Sequence, residues 1–181
     1  MDLREKKTKR SIKNAFLQLR AQKPLERITI RELAELAEIS KATFYLHYKD
    51  IYDLSSQLQN EVIQNILDCV IQPDIPLLDT VKLTQALFEA FIVHQGLIDT
   101  LFSGSQAAVL PSRIEQGIKE YVFRTTPGAC DDINLNVLLS YQIYGSYYGY
   151  WLNYKRFGNN QVLDILDMIA AQIQTQKAKQ A

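Results

Sequence analysis

The chain has few of the residues that interrupt helices, form cross-links or bind metals. Its 181 residues include only seven glycines and five prolines, which argues against a fold of many short strands joined by tight turns. The two cysteines, Cys69 and Cys130, offer no disulfide framework and fit a reducing compartment. The two histidines, His47 and His94, are not spaced as metal ligands, so we expect neither a metal nor another cofactor.

Long apolar runs and the motifs of common enzymes are also missing. No stretch of about 18 apolar residues occurs, so we expect no membrane-spanning segment. The charged N-terminal sequence MDLREKKTKR is unlike a signal peptide, and we expect a cytoplasmic protein. The chain contains no G-x-S-x-G, P-loop, C-x-x-C or H-E-x-x-H sequence, and we therefore expect that it is not an enzyme.

The chain is rich in apolar residues at helical spacing. Hydrophobic residues make up 47% of the sequence, which is enough to bury a core. Their recurrence at i, i+3, i+4 and i+7 predicts an all-α protein. The predicted helices cover residues 8–21, 29–37, 41–48, 50–71, 79–95, 97–102, 111–123, 133–156 and 161–174.

Residues 29–49, TIRELAELAEISKATFYLHYK, are the most informative stretch of the sequence. Thr29 and Glu32 have the spacing of a capping box, which predicts that a helix begins here. The apolar residues that follow give this helix one inward face. Glu38-Ile39-Ser40 then forms a turn, in which Ser40 is a suitable N-cap for a second helix.

The second helix of this stretch, predicted from Lys41 to Tyr48, has only two residues suited to a core. Phe44 and Tyr48 are four residues apart and therefore anchor the same side of the helix. The other side chains, several of them hydrogen-bonding groups, are left for other faces. A short helix of this kind suits insertion into the major groove of DNA, so the stretch predicts a helix-turn-helix.

The same residues resemble the signature of TetR-family transcription regulators, roughly T-x-x-[ED]-[IL]-A-x-x-A-G-[VI]-S-x-x-[TS]-[FL]-Y-x-[YH]-F. The positions that match in register are Thr29, Glu32, Leu33, Ala34, Ala37, Ile39, Ser40, Thr43, Phe44, Tyr45, His47 and Tyr48. Two positions depart from the pattern. Glu38 stands where the family usually has glycine, which predicts either local strain or a slightly different turn. Ile51 stands where the family usually has a phosphate-contacting lysine.

The resemblance implies a helix-turn-helix DNA-binding domain over residues 1–51 and a helical dimerisation and regulatory domain over residues 52–181. Spacing and resemblance together predict six residues at the DNA: Thr29, Lys41, Thr43, Tyr45, His47 and Lys49. Of these, Lys41 and Thr43 are expected to reach bases, and the other four are expected to contact phosphates.

The distribution of charge agrees with a basic N-terminal domain. The net charge of the whole chain is zero, but residues 1–50 carry twelve Lys and Arg against seven Asp and Glu. Concentrated positive charge is what a phosphate-binding surface needs. Chance clustering on a solvated face is the alternative explanation.

The last two predicted helices indicate a homodimer. The helix over residues 133–156 is apolar on nearly all sides and needs more cover than one small subunit offers. The resemblance adds that the final two helices of the family usually form the interface. The residues expected there are Tyr141, Gly145, Gly149, Leu152, Ile165 and Ile169. The spacing of Gly145 and Gly149 fits equally well with room for bulky tyrosines inside one subunit.

Polar and aromatic residues of the same region are candidates for a regulatory site. The residues suited to an effector pocket are His94, Gln142, Tyr144 and Tyr148, and an ordinary core or interface role is the alternative. The resemblance implies a ligand-responsive repressor that binds a palindromic operator as a homodimer. The segment YYGYWLNYKRFG, residues 147–158, resembles the C-terminal segment of Firmicute TetR-like regulators. Some TetR-like activators respond to a protein co-regulator, so an activator or adaptor controlled in that way stays open.

Overall fold

A computed structural model describes residues 3–73 and 75–180, with side chains as far as residue 176. Within these ranges the chain forms helices and no strand, which confirms the all-α class. The helices are α1 (Leu3–Arg20), α2 (Ile30–Leu36), α3 (Lys41–Tyr45), α4 (Ile51–Val70), α5 (Thr80–Val93), α6 (Gln95–Leu101), α7 (Val109–Thr125), α8 (Ile133–Trp151), α9 (Tyr154–Phe157) and α10 (Asn159–Gln180). Among the described residues, no helix has both the length and the hydrophobicity of a membrane span.

The chain divides into two compact units. The first contains the residues up to Val62 together with Gly96–Ala107, and the second contains Ile63–Gln95 and the residues from Ala108 onward. Helix α4 begins in the first unit and ends in the second. A segment far along the chain therefore completes the unit that the N-terminal helices begin.

Apolar side chains from α1 to α4 fill the core of the first unit. The largest that are fully buried are Ile12, Phe16, Leu33, Phe44 and Leu54. Ile12 and Phe16 are four residues apart and so lie on one face of α1. Helices as short as α2 and α3 are not stable alone, so the burial of Leu33 and Phe44 holds them in place.

The segment after α6 is attached to the first unit by polar contacts. Arg20, at the end of α1, is only 5% exposed. Its Nη1 donates to the carbonyl of Lys23 (3.1 Å), and its Nη2 donates to the hydroxyl of Ser103 (3.0 Å). Gln59 on α4 donates to the carbonyl of Leu101 (3.0 Å). These bonds fix a loop that is distant in sequence against α1 and α4.

Aromatic side chains of α5 and α8 pack at the centre of the second unit. The ring of Phe91 meets those of Tyr147 and Trp151 edge-on, with centroid distances of 5.9 and 6.0 Å. Phe88 lies 5.6 Å from Tyr150. Helix α8 contacts α5, α7 and α10, which explains why its sequence is apolar on several sides.

Two helices end earlier than the sequence pattern predicts. Helix α3 ends at Tyr45 instead of residue 48, and Leu46 is its C-cap. Helix α8 ends at Trp151 instead of residue 156. The side-chain amide of Asn153 donates to the carbonyl of Gly149 (2.8 Å), which is the acceptor that its own backbone N–H would use in a continuing helix.

Candidate nucleic-acid interface

A capping box fixes the start of α2, as predicted. The hydroxyl of Thr29 accepts from the backbone N–H of Glu32 (3.3 Å), and the Glu32 carboxylate accepts from the backbone N–H of Thr29 (3.1 Å). Lys23 donates to the other carboxylate oxygen (2.6 Å). Lys23, followed by Thr29, lowers the pKa of Glu32 to about 2. The position of Thr29 is thus set by a network around one ionised carboxylate.

The turn between α2 and α3 has the form of a Schellman motif. The N–H of Glu38 bonds to the carbonyl of Glu35 (3.3 Å), and the N–H of Ile39 bonds to the carbonyl of Ala34 (3.0 Å). Glu38 adopts a φ of 55°, the left-handed conformation that favours glycine. The predicted strain at this position is confirmed, and the turn keeps its form without glycine.

Helix α3 is capped by a serine and anchored by two aromatic rings. The hydroxyl of Ser40 accepts from the backbone N–H of Thr43 (3.0 Å), which confirms the predicted N-cap. Phe44 is fully buried, and Tyr48 is 8% exposed. The two rings are in contact, with centroids 5.7 Å apart. The predicted anchors therefore hold this short helix against the first unit.

The opposite side of α3 is exposed. Tyr45 is 58% exposed, and Lys41 beside it is exposed as well. Thr43 is half-buried, and its hydroxyl is 2.8 Å from that of Ser40. Because Thr43 already has this partner, Lys41 and Tyr45 are the better placed of the predicted side chains to reach a ligand.

The remaining residues predicted at the DNA lie at the two ends of the helix-turn-helix. Thr29 is exposed at the start of α2, and His47 is half-buried after α3. Lys49 is exposed, and its backbone N–H donates to the carboxylate of Asp53 (2.9 Å). Ile51, at the position that usually carries a lysine, is buried in the core. The roles of the six residues at DNA stay predictions.

Two further exposed residues, one in α3 and one at its C-cap, were not predicted from the sequence. Leu46 is 81% exposed, and Ala42 is exposed one turn before it. The positions of Phe44 and Tyr48 in the sequence already indicate that Leu46 is exposed. If Phe44 and Tyr48 point inward, a residue midway between them must point away from the core. Because leucine is more often a core residue, the residue type alone does not reveal this exposure.

A Schellman turn followed by a short, aromatically anchored helix with an exposed outer face is the arrangement of a helix-turn-helix DNA-binding regulator. Comparison with known proteins agrees. Residues 14–58 match the family model described as bacterial regulatory proteins, tetR family. This match assigns residues 14–58 to the DNA-binding domain of the tetR family of bacterial regulatory proteins.

The fold is also similar to a solved member of that family. The crystal structure is that of the TetR family repressor AlkX from Dietzia sp. strain DQ12-45-1b, implicated in biodegradation of n-alkanes. It is 14% identical in sequence, with a TM-score of 0.50 over 93% of this chain and 97% of that one. At this identity the similarity concerns the fold. A search of curated proteins gives no significant match.

Five of the six residues predicted at a dimer interface are exposed, and they lie on α8, at its C-cap and on α10. They are Tyr141, Gly145, Leu152, Ile165 and Ile169. A groove of about 420 Å³ between the end of α8, α9 and α10 is lined by Ile165 and Ile169 among others. The sixth residue, Gly149, is half-buried and lines the same groove, and a Cβ there would lie 3.0 Å from Leu166. A Cβ at Gly145 would meet nothing within 4 Å.

Of the residues predicted for an effector pocket, only Gln142 lines either of two cavities formed by the described residues of α8 and α10. Gln142 lines a cavity of about 70 Å³, but its amide donates to the hydroxyl of Thr84 (3.0 Å) and to the carbonyl of Thr80. Tyr144 and Tyr148 stack on one another along α8, and they line neither this cavity nor the larger groove. His94 caps the end of α5 and also lies outside both.

Proposed function

We propose that this regulator binds a specific, near-palindromic DNA site as a homodimer. The observation that carries the proposal is the exposed face of α3, which is held by Phe44 and Tyr48 and presents Lys41 and Tyr45 outward. An exposed short helix after a helix-turn-helix turn suits base contacts in the major groove. The excess of Lys and Arg over residues 1–50 suits phosphate contacts.

The exposed apolar face of the second unit supports the dimer. Ile165 and Met168 on α10 are 54% and 50% exposed, and Phe157, which lines the same groove as Ile165, is 48% exposed. Apolar side chains gathered on one face favour association, at about 25 cal/mol per Å² of apolar area removed from water. A symmetric dimer would place two copies of α3 against two half-sites, which is why a near-palindrome is expected.

Two modes of control are compatible with this proposal, and they differ in whether they need a cavity. A ligand-responsive repressor needs a cavity for its effector, and drug-sized ligands occupy roughly 300–1,000 Å³. The cavity beside Gln142 is about 70 Å³, and the groove of about 420 Å³ lies on the apolar face assigned to the dimer. Regulation of an activator or adaptor by a protein co-regulator requires no such cavity.

The DNA-binding proposal is tested by selection of bound duplexes from a random library with the full-length protein. The expected outcome is an enriched inverted repeat whose binding weakens steeply as salt increases. Lys41→Gln should reduce affinity for that site, and Arg113→Gln, an exposed cation on α7, should not. A library that yields no motif would contradict sequence-specific binding.

The mode of control is tested separately with the same DNA site. A thermal-shift screen of metabolites would be followed by measurement of DNA release for each hit. Control by a protein co-regulator predicts that no metabolite both stabilises the protein and changes its affinity for DNA. A single small molecule that does both would establish the ligand-responsive mechanism and remove the support for a protein co-regulator.

A further inference from the structure

We propose that Ala42 and Leu46 form an apolar strip on α3 that recognises the 5-methyl groups of thymines in the operator. The inference rests on the proposed sequence-specific binding, and it adds the chemical group that the helix reads. It starts from the exposure of Leu46, which at 81% is far greater than that of other leucines in the same helix-turn-helix, such as Leu36 at 41%.

Leu46 has no role in holding α3 against the first unit. That role belongs to Phe44 and Tyr48, which are 0% and 8% exposed. Leu46 lies midway between these anchors in sequence, on the opposite side of the helix. A leucine left in water at this position gives up the stabilisation that burying it would contribute. Its apolar surface is therefore available to a partner.

Ala42 extends this apolar surface along the helix. The backbone N–H of Leu46 donates to the carbonyl of Ala42 (3.2 Å), so the two side chains lie one turn apart on the same side. Lys41 and Tyr45 precede them by one residue each and form a parallel polar strip. The outer face of α3 thus presents a polar strip and an apolar strip side by side.

The two strips lie side by side, so a molecule that binds the polar strip also contacts the apolar strip. If Lys41 and Tyr45 face DNA in the major groove, Ala42 and Leu46 face the same groove. The edges of the base pairs there offer hydrogen-bonding groups and one apolar group, the thymine 5-methyl. The short side chain of Ala42 allows close approach, and the longer one of Leu46 reaches further. Cytosine, guanine and adenine offer nothing comparable to an alkyl side chain.

The test replaces individual thymines of the selected site by deoxyuridine, which removes the methyl group and keeps the base pair. At one or two positions in each half-site, deoxyuridine should weaken binding of the full-length protein about fourfold, as expected for one lost methyl contact. Leu46→Ala should lower the affinity for the thymine duplex and abolish the thymine-to-deoxyuridine difference at one of these positions. The circular dichroism spectrum of Leu46→Ala should match that of the wild type.

Leu36→Ala is the matched control, because it shortens a partly exposed leucine on α2. It should leave every thymine-to-deoxyuridine ratio unchanged. If the protein binds its selected site and responds to Lys41→Gln but tolerates deoxyuridine everywhere, the inference fails and the proposed function stands. Selected half-sites without thymine would overturn it in the same way. A selection that enriches no motif would overturn the proposed function itself.

Discussion

Phe44 and Tyr45 are adjacent in the chain and have opposite roles in the molecule. Phe44 is fully buried, whereas Tyr45 is 58% exposed. Their rings meet edge-on, with centroids 5.7 Å apart. Phe44 holds α3 in the first unit, and Tyr45 belongs to the surface that we assign to DNA.

This contrast gives a prediction for the two residues. Phe44→Ala should destabilise the first unit by about 3–5 kcal/mol, because it removes a buried ring and leaves a cavity. Tyr45→Phe should leave stability unchanged and weaken DNA binding by about 1 kcal/mol if its hydroxyl donates to a phosphate. Urea unfolding and fluorescence anisotropy measure the two quantities. A stable Phe44→Ala protein with unchanged affinity would show that α3 is misplaced.

Glu38 carries the backbone strain of the turn before α3. At a φ of 55° a glycine is favoured over a residue with a Cβ, so Glu38→Gly should raise the free energy of unfolding by about 1 kcal/mol. Glu38→Ala removes the same charge but keeps a Cβ, and it should bring no such gain. Equal stabilisation by both variants in urea titrations would assign the effect to charge instead of conformation.

At the scale of the elements, helix ends are where local sequence determines structure most directly. The caps predicted at Thr29 and Ser40 are both present, because each depends on side chains within three residues of the cap. The early end of α8 was missed, since it depends on the amide of Asn153 competing for a carbonyl. The attachment of the loop at Ser103 could not be predicted, because its partner Arg20 is distant in sequence.

The capping box of α2 makes the stability of the first unit dependent on pH. The pKa of Glu32 in the folded protein is about 2, below the ordinary value of about 4.3 for glutamate. The stabilisation is therefore complete above about pH 4.3 and is lost as the pH falls toward 2. Glu32→Gln keeps a capping side chain but cannot ionise, so its stability should fall less over this range.

Acid titrations of unfolding free energy measure this difference. Glu35→Gln is the control, because it removes a carboxylate of the same helix from outside the capping box. It should retain the wild-type loss of stability between about pH 4.3 and 2. Parallel curves for wild type and Glu32→Gln would show that the ionised box does not stabilise α2.

The loop between α6 and α7 is held in part by one buried guanidinium, that of Arg20. Burial lowers the pKa of Arg20, and its bonds to Lys23 and Ser103 offset that cost. A second bond, from the hydroxyl of Ser105 to the carboxylate of Glu26 (2.5 Å), fixes the same loop. The fork of an arginine suits two separate acceptors, which a lysine cannot reproduce.

Arg20→Lys should therefore reduce the unfolding free energy by about 1–3 kcal/mol and expose the loop to solvent exchange. Hydrogen exchange of residues 101–107 should accelerate in this variant. Arg27→Lys changes an exposed arginine that follows in the chain, and it should leave the exchange of the loop as it is. Unchanged protection in Arg20→Lys would mean that apolar burial alone holds the segment.

At the scale of the whole molecule, the sequence predicts that α8 and α10 are apolar, but it does not predict which surface covers their apolar residues. Part of that character serves the subunit itself, as the packing of Gly149 near Leu166 illustrates. Another part stays exposed, including Ile165 and Met168. Periodicity identifies an apolar face, but it does not say whether the same subunit or a second copy covers it.

The exposed face leads to a prediction for the homodimer. Ile165→Asp places a carboxylate in each half of the proposed interface and should raise the dissociation constant of the dimer on the order of 100-fold or more. The affinity for DNA should fall as the dimer dissociates, because two linked DNA-binding domains bind a palindrome better than one. Ala171→Asp, exposed on another side of α10, is the control and should remain dimeric. Sedimentation at micromolar concentration measures the oligomeric state of both variants. A wild-type monomer that still binds a palindrome tightly would contradict the dimer.

The central claim is that two copies of α3 read one DNA site from the major groove. Methylation interference on the selected duplex tests it most directly, because dimethyl sulfate marks guanine N7 in the major groove and adenine N3 in the minor groove. We predict interference at guanine N7 in two symmetric half-sites, with centres one helical turn (roughly 34–36 Å) or a multiple of it apart. Interference confined to adenine N3, or to a single asymmetric block, would contradict the claim.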